Sequence, residues 1–251
     1  LGVGDQALTL EEIVRSLERI IEYVEKRKLP TFGNFDLHTG EGVAAALDEL
    51  VRSDVVKRFD EGPEAVYRIA DDAQLAAAYY RNAVIHFFTT GAIAELALLG
   101  VAEDASDRVQ AFQDEALRLR DLLKFEFFFP DRESFLAELR SEVAYHDADW
   151  EARLAGGADD VFGLVRHFRP LSSHRVVRPF LESYRVLAEV LVRWGTEKPV
   201  DKKDLLDRSL ALGRQWLLQR RIRNAESISK SYFETALRLA DNRKLLGASH
   251  P

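Results

Sequence analysis

The chain has 251 residues, a formal charge of −7 and 47% hydrophobic side chains, enough apolar material for a sizeable core in one large domain or two small ones. The acidic excess excludes a molecule that grips nucleic acid nonspecifically through its overall charge, but leaves room for a local basic patch. With no cysteine there is no disulfide framework, zinc-thiolate set or cysteine nucleophile, which fits a reducing compartment; with no methionine, even at position 1, the sequence reads as a segment of a longer protein.

Thr9 followed three positions later by Glu12 is a capping-box signature, and Leu10, Ile13, Val14, Leu17, Ile20, Ile21 and Val24 then keep helical spacing on one face. A helix from about Thr9 to Lys28 follows, ending before Pro30, and "LPTFGNFDLHTG" reads as an irregular connection. A second helix is predicted over about Glu41 to Ser53, with Val43, Leu47, Leu50 and Val51 facing a partner. The stretch "VVKRFDEGPEAVYRI" then holds two β-branched or aromatic runs around Asp60-Glu61-Gly62-Pro63, a hairpin signal. Helix, helix and hairpin in that order is the pattern of a winged-helix unit.

Tyr79 to Leu99 reads as one further helix with Arg81, Asn82 and His86 near its head. A membrane span needs about 20 mainly apolar residues, and the uncharged run here reaches only from Asn82 to Ala94. It is therefore read as a core helix, with His86 a hydrogen-bonded core histidine and Arg81 and Asn82 tying neighbouring segments. No secretion signal opens the chain, and the protein is expected to be soluble or membrane-peripheral.

The same order of elements recurs downstream. Val109, Phe112, Ala116, Leu119 and Leu123 reproduce the spacing of Leu10, Ile13, Leu17, Ile20 and Val24, and "LAELRSEVAYHD" echoes "LDELVRSDVVKRFD". A polar turn at "AGGADD", a second extended piece "VFGLVRHF" and a helix from about Arg175 to Trp194 complete the parallel. A third copy begins at Leu205. The expectation is a mainly α chain of stacked, repeated winged-helix-like units with short hairpins. Its divisions are 1–102, 103–198 and a C-terminal helical part, 199–251.

None of the six histidines has an aspartate five positions on. His146, in "HDADWE", is read as part of an acidic surface turn, and His167 and His174 lack a third ligand at metal spacing. No phosphate loop, nucleophile elbow or H-E-x-x-H motif occurs. Two basic stretches stand beside predicted helix starts: "HFRPLSSHRVVRP", with Arg169, Arg175 and Arg178, and "LQRRIRNAESISK", with Arg220, Arg221, Arg223 and Lys230. Guanidinium groups near a helix start suit an anion; the plainer reading is that they pair with the abundant Asp and Glu or face solvent, and Arg220, Arg221, Arg223 and Lys230 are the candidate binding or interdomain residues. Finally, "LRDLLKFEFFFP" packs four phenylalanines into Phe125 to Phe129, a plug between helices rather than an exposed patch.

The segments "LAAAYYRNAVIHFFTTGAIAELALL", "LRDLLKFEFFFPDRESFLAEL" and "LLQRRIRNAESISKSYFETALRLADNRKLL" resemble the C-terminal helical region of bacterial glycerol-3-phosphate acyltransferases of the long, PlsB type, and the likeness runs from about Thr9 to Leu246. That resemblance implies transfer of a fatty acyl group from acyl-CoA or acyl carrier protein to glycerol 3-phosphate, in phospholipid biosynthesis at the cytoplasmic face of the cell membrane. It implies a histidine base in an H-x4-D motif, an E-G-x-R-S block for the phosphate, and no cofactor or metal. This sequence carries neither motif: Glu41-Gly42 and Glu61-Gly62 are not followed by x-Arg-Ser. No catalytic residue is therefore expected here; the catalytic domain is expected upstream, as this region's partner, and the segment alone is expected to be inactive.

The residues leave two other readings open. A winged-helix DNA-binding regulator has the right order of elements, but Glu41, Asp48 and Glu49 against a single Arg52 would repel phosphates from its recognition helix, so nucleic acid is not an expected partner. A helical scaffold or adaptor without an attached enzyme is the other.

Overall fold

A computed structural model describes residues 7–31, 33–101, 106–168, 176–195 and 201–246. The chain divides into two compact units, Leu1–Phe87 with Phe168–Leu171, and Phe88–His167 with Ser172–Pro251. It is mainly α-helical, with one small sheet among the described residues. In this partition α4 (Thr89–Gly100) groups with the helices after it, and the last helices share a core with α9 (Arg178–Trp194).

The first unit begins with β1 (Leu8–Thr9), α1 (Leu10–Lys26) and α2 (Gly40–Arg52). Thr9 caps α1 as its spacing predicts: its hydroxyl accepts the Glu12 N–H at 3.3 Å, and the Glu12 carboxylate accepts the Thr9 N–H at 2.9 Å. Strands β2 (Val56–Phe59) and β3 (Val66–Ile69) form the expected hairpin, with Val56 opposite Ile69 and Phe59 opposite Val66. β1 adds to the other edge of β3, giving an antiparallel order β1-β3-β2. Two residues are too few to show an alternating pattern, so this strand left no mark in the sequence. Val43, Leu47, Val55, Val56 and Tyr67 are the buried core, and Leu10, Ile13, Val14, Leu17, Leu50 and Val51 pack around it.

The predicted helix Tyr79 to Leu99 is two helices. α3 (Gln74–Val84) ends in a 3₁₀ turn, Ile85–Phe88, before α4 begins. By length and composition the 27 residues from Gln74 to Gly100 could cross a membrane, further than the uncharged run alone implies, since Arg81 and Glu95 are the two charges in it. Half of its most apolar window is nevertheless buried inside the fold. Ala92, Ile93, Ala94, Glu95, Ala97 and Leu98 of α4 are all almost wholly enclosed, so the second half is the core helix that was expected. The first half is not, and His86 lies exposed against the Phe87 ring, 3.9 Å between centroids, rather than in the core.

The second unit continues with α5 (Arg108–Leu123), α6 (Arg132–His146), α7 (Trp150–Gly156) and α8 (Ala158–His167). After α9 come α10 (Lys202–Leu218) and α11 (Lys230–Asn242). The second extended piece of the expected repeat is helical: all of "VFGLVRHF" but its last residue, Phe168, belongs to α8. Val161 and Leu164 are buried three positions apart, a helical period, with Asp159 and Asp160 in the first turn and Arg166 in the last, where each charge suits the helix dipole. Among the described residues no strand follows β3.

The phenylalanine-rich connection between α5 and α6 is the plug the sequence suggests, with one exception. Phe127 meets Phe180 edge-on at 5.0 Å, Phe129 meets Phe135 at 5.6 Å, and Phe125 packs on the core of α9, α10 and α11. Phe128 alone is 99% exposed. Arg120 fastens the segment, donating to the Pro130 carbonyl at 2.6 Å while its guanidinium lies over Phe129 and Phe135.

Candidate functional site

The basic turn after α10 is built by the way that helix ends. Arg220 takes a left-handed backbone, φ +57°, its N–H donates to the Leu217 carbonyl, and the Arg221 N–H reaches back to Trp216 at 2.8 Å. This paired closure satisfies carbonyls that a helix end leaves open. Lys28, Asp54 and Lys244 close α1, α2 and α11 the same way. A non-glycine residue in this conformation costs about 1 kcal/mol, but four helices share the habit, so strain at Arg220 is not by itself a mark of function.

The closure folds Arg221 back over the Trp216 indole, 4.1 Å from guanidinium carbon to ring centroid, and Arg185 of α9 approaches the same ring at 5.4 Å. Trp216 is 2% exposed, while Arg185, Arg220, Arg221 and Arg223 are all exposed. Among the described residues, none of these four guanidinium groups pairs with a carboxylate. The following segment is pinned to α9: Glu182 accepts the Arg223 N–H at 3.3 Å and the Ser227 hydroxyl at 2.6 Å. The fully buried Ser183 hydroxyl lies 2.6 Å from the Ser227 carbonyl and 2.8 Å from that of Pro179, its one proton serving either. A hydrogen-bonded turn thus presents exposed guanidinium groups, an arrangement that can hold phosphate or carboxylate.

Of the candidate residues, the structure places Arg220, Arg221 and Arg223 in one turn. Lys230 stands in the first turn of α11, where it faces Glu234 at 3.8 Å, an exposed pair of small energetic weight. Arg185 is the member that sequence reasoning missed, for an isolated exposed arginine on a helix carries no signal. Arg178 opens α9, while Arg169, Arg175, His174 and His250 lie outside the described residues.

A second polar group sits beneath the phenylalanine plug. The Tyr184 hydroxyl donates to Glu126 at 3.0 Å, and Arg238 stacks on Phe125 nearby at 4.7 Å. Burial pushes the Glu126 carboxyl up to about 7, against the opposing pull of Tyr184 and Arg238. Burial, then the Glu126 charge, pushes the Tyr184 phenol up as well. Because the Glu126 pKa is higher folded than unfolded, its stabilising contribution is complete below about pH 4.5 and is lost as pH rises through about 7. Glu126→Gln keeps an acceptor for Tyr184 and removes that loss. Discounted for partial solvent screening, wild type should lose about 1–2 kcal/mol relative to the variant between about pH 5 and about pH 8. Denaturant titrations at both pH values check this, and a pH-independent difference would contradict it.

Among the described residues, histidines meet carboxylates at three places. His38 pairs with Glu25 on the surface at 2.9 Å. His146 is not in a surface turn: α6 continues through it, so it lies one turn beyond Glu142, 3.5 Å away, with both side chains almost fully buried. Glu142 in turn packs against Gly91 of α4. His167 Nδ1 stands 2.7 Å from Asp147, which also receives Arg153 at 2.6 Å and the Asp149 N–H at 2.9 Å. Burial would raise the Asp147 pKa, but these donors together outweigh it and hold the carboxyl below its usual range. Three donors on one carboxylate tie the end of α6 to α7 and α8, a structural use of the group. Asp147→Asn should cost about 1–3 kcal/mol by leaving Arg153 without its charged partner; a change under about 0.5 kcal/mol in chemical denaturation would contradict that role. Among the described residues no three histidine or acidic side chains gather as metal ligands.

Residues 1–249 match the profile of a family described as "Glycerol-3-phosphate acyltransferase C-terminal region". The chain belongs to this family. It is also 38% identical, over 246 residues, to a Mycobacterium tuberculosis (strain H37Rv) protein named "Putative acyltransferase plsB1", and equally to a Mycobacterium bovis protein of the same name. Each alignment covers 97% of this chain and 40% of the relative. The chain therefore spans two fifths of the length of these relatives, and the resemblance drawn from the tyrosine-rich helix, the phenylalanine connection and the arginine turn is confirmed at the level of the family.

Proposed function

We propose that this chain is the non-catalytic C-terminal region of a glycerol-3-phosphate 1-O-acyltransferase. The enzyme transfers a fatty acyl group from acyl-CoA or acyl carrier protein to glycerol 3-phosphate, the entry step of phospholipid synthesis. In that reaction the sn-1 oxygen bonds to the acyl carbon, the carbon–sulfur bond of the thioester breaks, and a base takes the hydroxyl proton. The observation that carries the reading is the family match across residues 1–249 in a sequence without H-x4-D or E-G-x-R-S. The base and the phosphate contacts then belong to the remaining length of the protein. This region braces that part and helps it sit at the cytoplasmic membrane face. Supplied with acyl-CoA and glycerol 3-phosphate, the 251-residue chain alone is expected to release no thiol, and release above a buffer control would overturn the non-catalytic assignment.

Within this reading the turn carrying Arg220, Arg221 and Arg223, with Lys230 beyond it, is the contact for an anionic partner surface. Arg220 and Arg223 are the clean test, because Arg221 also stacks on Trp216. Each cation near an anionic bilayer contributes about 1 kcal/mol, so Arg220→Glu with Arg223→Glu should weaken anionic-vesicle binding of the full-length protein at least about 10-fold. Unchanged vesicle binding together with unchanged acyltransferase rate would refute the role. Arg220→Gly, which relieves the left-handed backbone, should gain up to about 1 kcal/mol of stability while losing part of the binding.

A further inference from the structure

α3 is built inside out. Leu75, Ala76, Tyr79, Tyr80, Ala83 and Val84 fall on one half of its circumference, and every one of them is exposed, Leu75 by 65%, Tyr79 by 76%, Tyr80 by 58% and Val84 by 47%. Its more polar residues, Gln74, Arg81 and Asn82, are the half-buried ones, with Arg81 donating to the Asn82 side chain at 2.9 Å. A helix in water normally turns these faces the other way. An unbroken apolar half-face with two tyrosines, and no charged side chain in it, has the composition of a recognition surface rather than of scattered exposed residues.

We infer that the outward face of α3, centred on Tyr79 and Tyr80, is the docking surface for the part of the full-length polypeptide that lies N-terminal to this region. The inference rests on the proposed reading that this chain is the C-terminal region of a longer acyltransferase. Three observations choose this occupant. The chain covers 40% of its curated relatives, so a large share of their length is available to cover the face. The start of the chain is stitched into the same unit as α3, through the pairing of Leu8 with Tyr67, so a preceding polypeptide enters the molecule beside that unit. Residues 1–87 carry sixteen acidic side chains against ten basic ones, which repels an anionic bilayer. Tyrosine supplies large contact area at low entropic cost and a hydroxyl for a partner's polar rim, which suits a protein surface. Charge complementarity calls for a partner face that is apolar at its centre and basic at its edge.

A photo-reactive benzoylphenylalanine in place of Tyr79 in the full-length protein, in native membranes, tests this directly. The same probe at the exposed Glu18 of α1 serves as control. The expected result is an intramolecular adduct, mapped by mass spectrometry to a peptide preceding this region and at least about five-fold more abundant than at Glu18. Adducts to lipid, adducts to a second copy, or a yield no higher than the control would each overturn the proposal. The readout does not depend on turnover, so failure of the acyltransferase reading and failure of the docking surface are separately visible.

Discussion

Replacing Trp216 by alanine is expected to remove about 3–5 kcal/mol of stability from the second unit. The ring is 2% exposed and sits in the shared core of α9, α10 and α11, beside Leu187, Leu212 and Phe233. Removing it leaves a cavity the three helices cannot close without moving, and it takes away the surface on which Arg221 and Arg185 rest. Each of those cation–aromatic contacts is worth about 0.5–1 kcal/mol at an exposed site, so Arg221→Ala should cost no more than that. The two variants therefore separate packing from the basic turn. Trp150 and Trp194, both in the same unit, remain as fluorescent reporters of its denaturant transition. A loss under about 1.5 kcal/mol for the Trp216 variant would show that the ring is not central to that core.

The second large effect is expected at Gly42. A methyl group built on this residue would fall inside the backbone of Asp36, against its carbonyl. Backbone cannot swing aside as a side-chain tip can. Gly42→Ala must therefore push apart the start of α2 and the loop before it, which the Asp36 carbonyl helps to close by accepting the Thr39 hydroxyl at 3.0 Å. A loss of about 3 kcal/mol is expected, at the upper end for overpacking. Gly40, two residues earlier in the same helix, has nothing within 4 Å of the corresponding position, and Gly40→Ala should gain about 0.5–1 kcal/mol from backbone entropy. All three tryptophans lie in the second unit. Gly42→Ala should accordingly lower the first part of a circular-dichroism transition and leave the tryptophan signal in place. Equal, small effects at both glycines would contradict the close approach.

Much of the helical plan was legible because local signals agreed with the final packing. The capping box at Thr9 and Glu12 and the apolar spacing of α1 needed no tertiary help, and Val43 and Leu47 of α2 went where their period placed them. Helix ends were less clear, since Lys28, Asp54, Arg220 and Lys244 fill positions where glycine is the usual signal. α8 was misread as a strand because a short apolar run fits either period, and only Val161 and Leu164 facing inward together decide it. The long apolar stretch concealed its break at Ile85–Phe88 for a related reason: hydrophobicity distinguishes the faces of a helix without saying which of them is covered. α3 leaves the apolar one outside.

The candidate site was legible where it is contiguous and hidden where folding assembles it. Arg220, Arg221 and Arg223 stand out in the sequence, while Glu182 and Arg185, which pin and complete their turn, come from α9. Glu126 meets Tyr184 across 58 residues of chain, and His167 meets Asp147 across 20. No spacing rule reaches that far. His146 deceived in another way: the acidic residues after it suggested a surface turn, but α6 carries it one turn past Glu142 on a buried face.

The most direct measurement is formation of acylated glycerol 3-phosphate from a long-chain acyl-CoA, comparing the full-length protein in membranes with the 251-residue chain purified alone. The account predicts product from the full-length protein and none from the chain. Product from the chain alone, or none from a folded full-length protein, would contradict it.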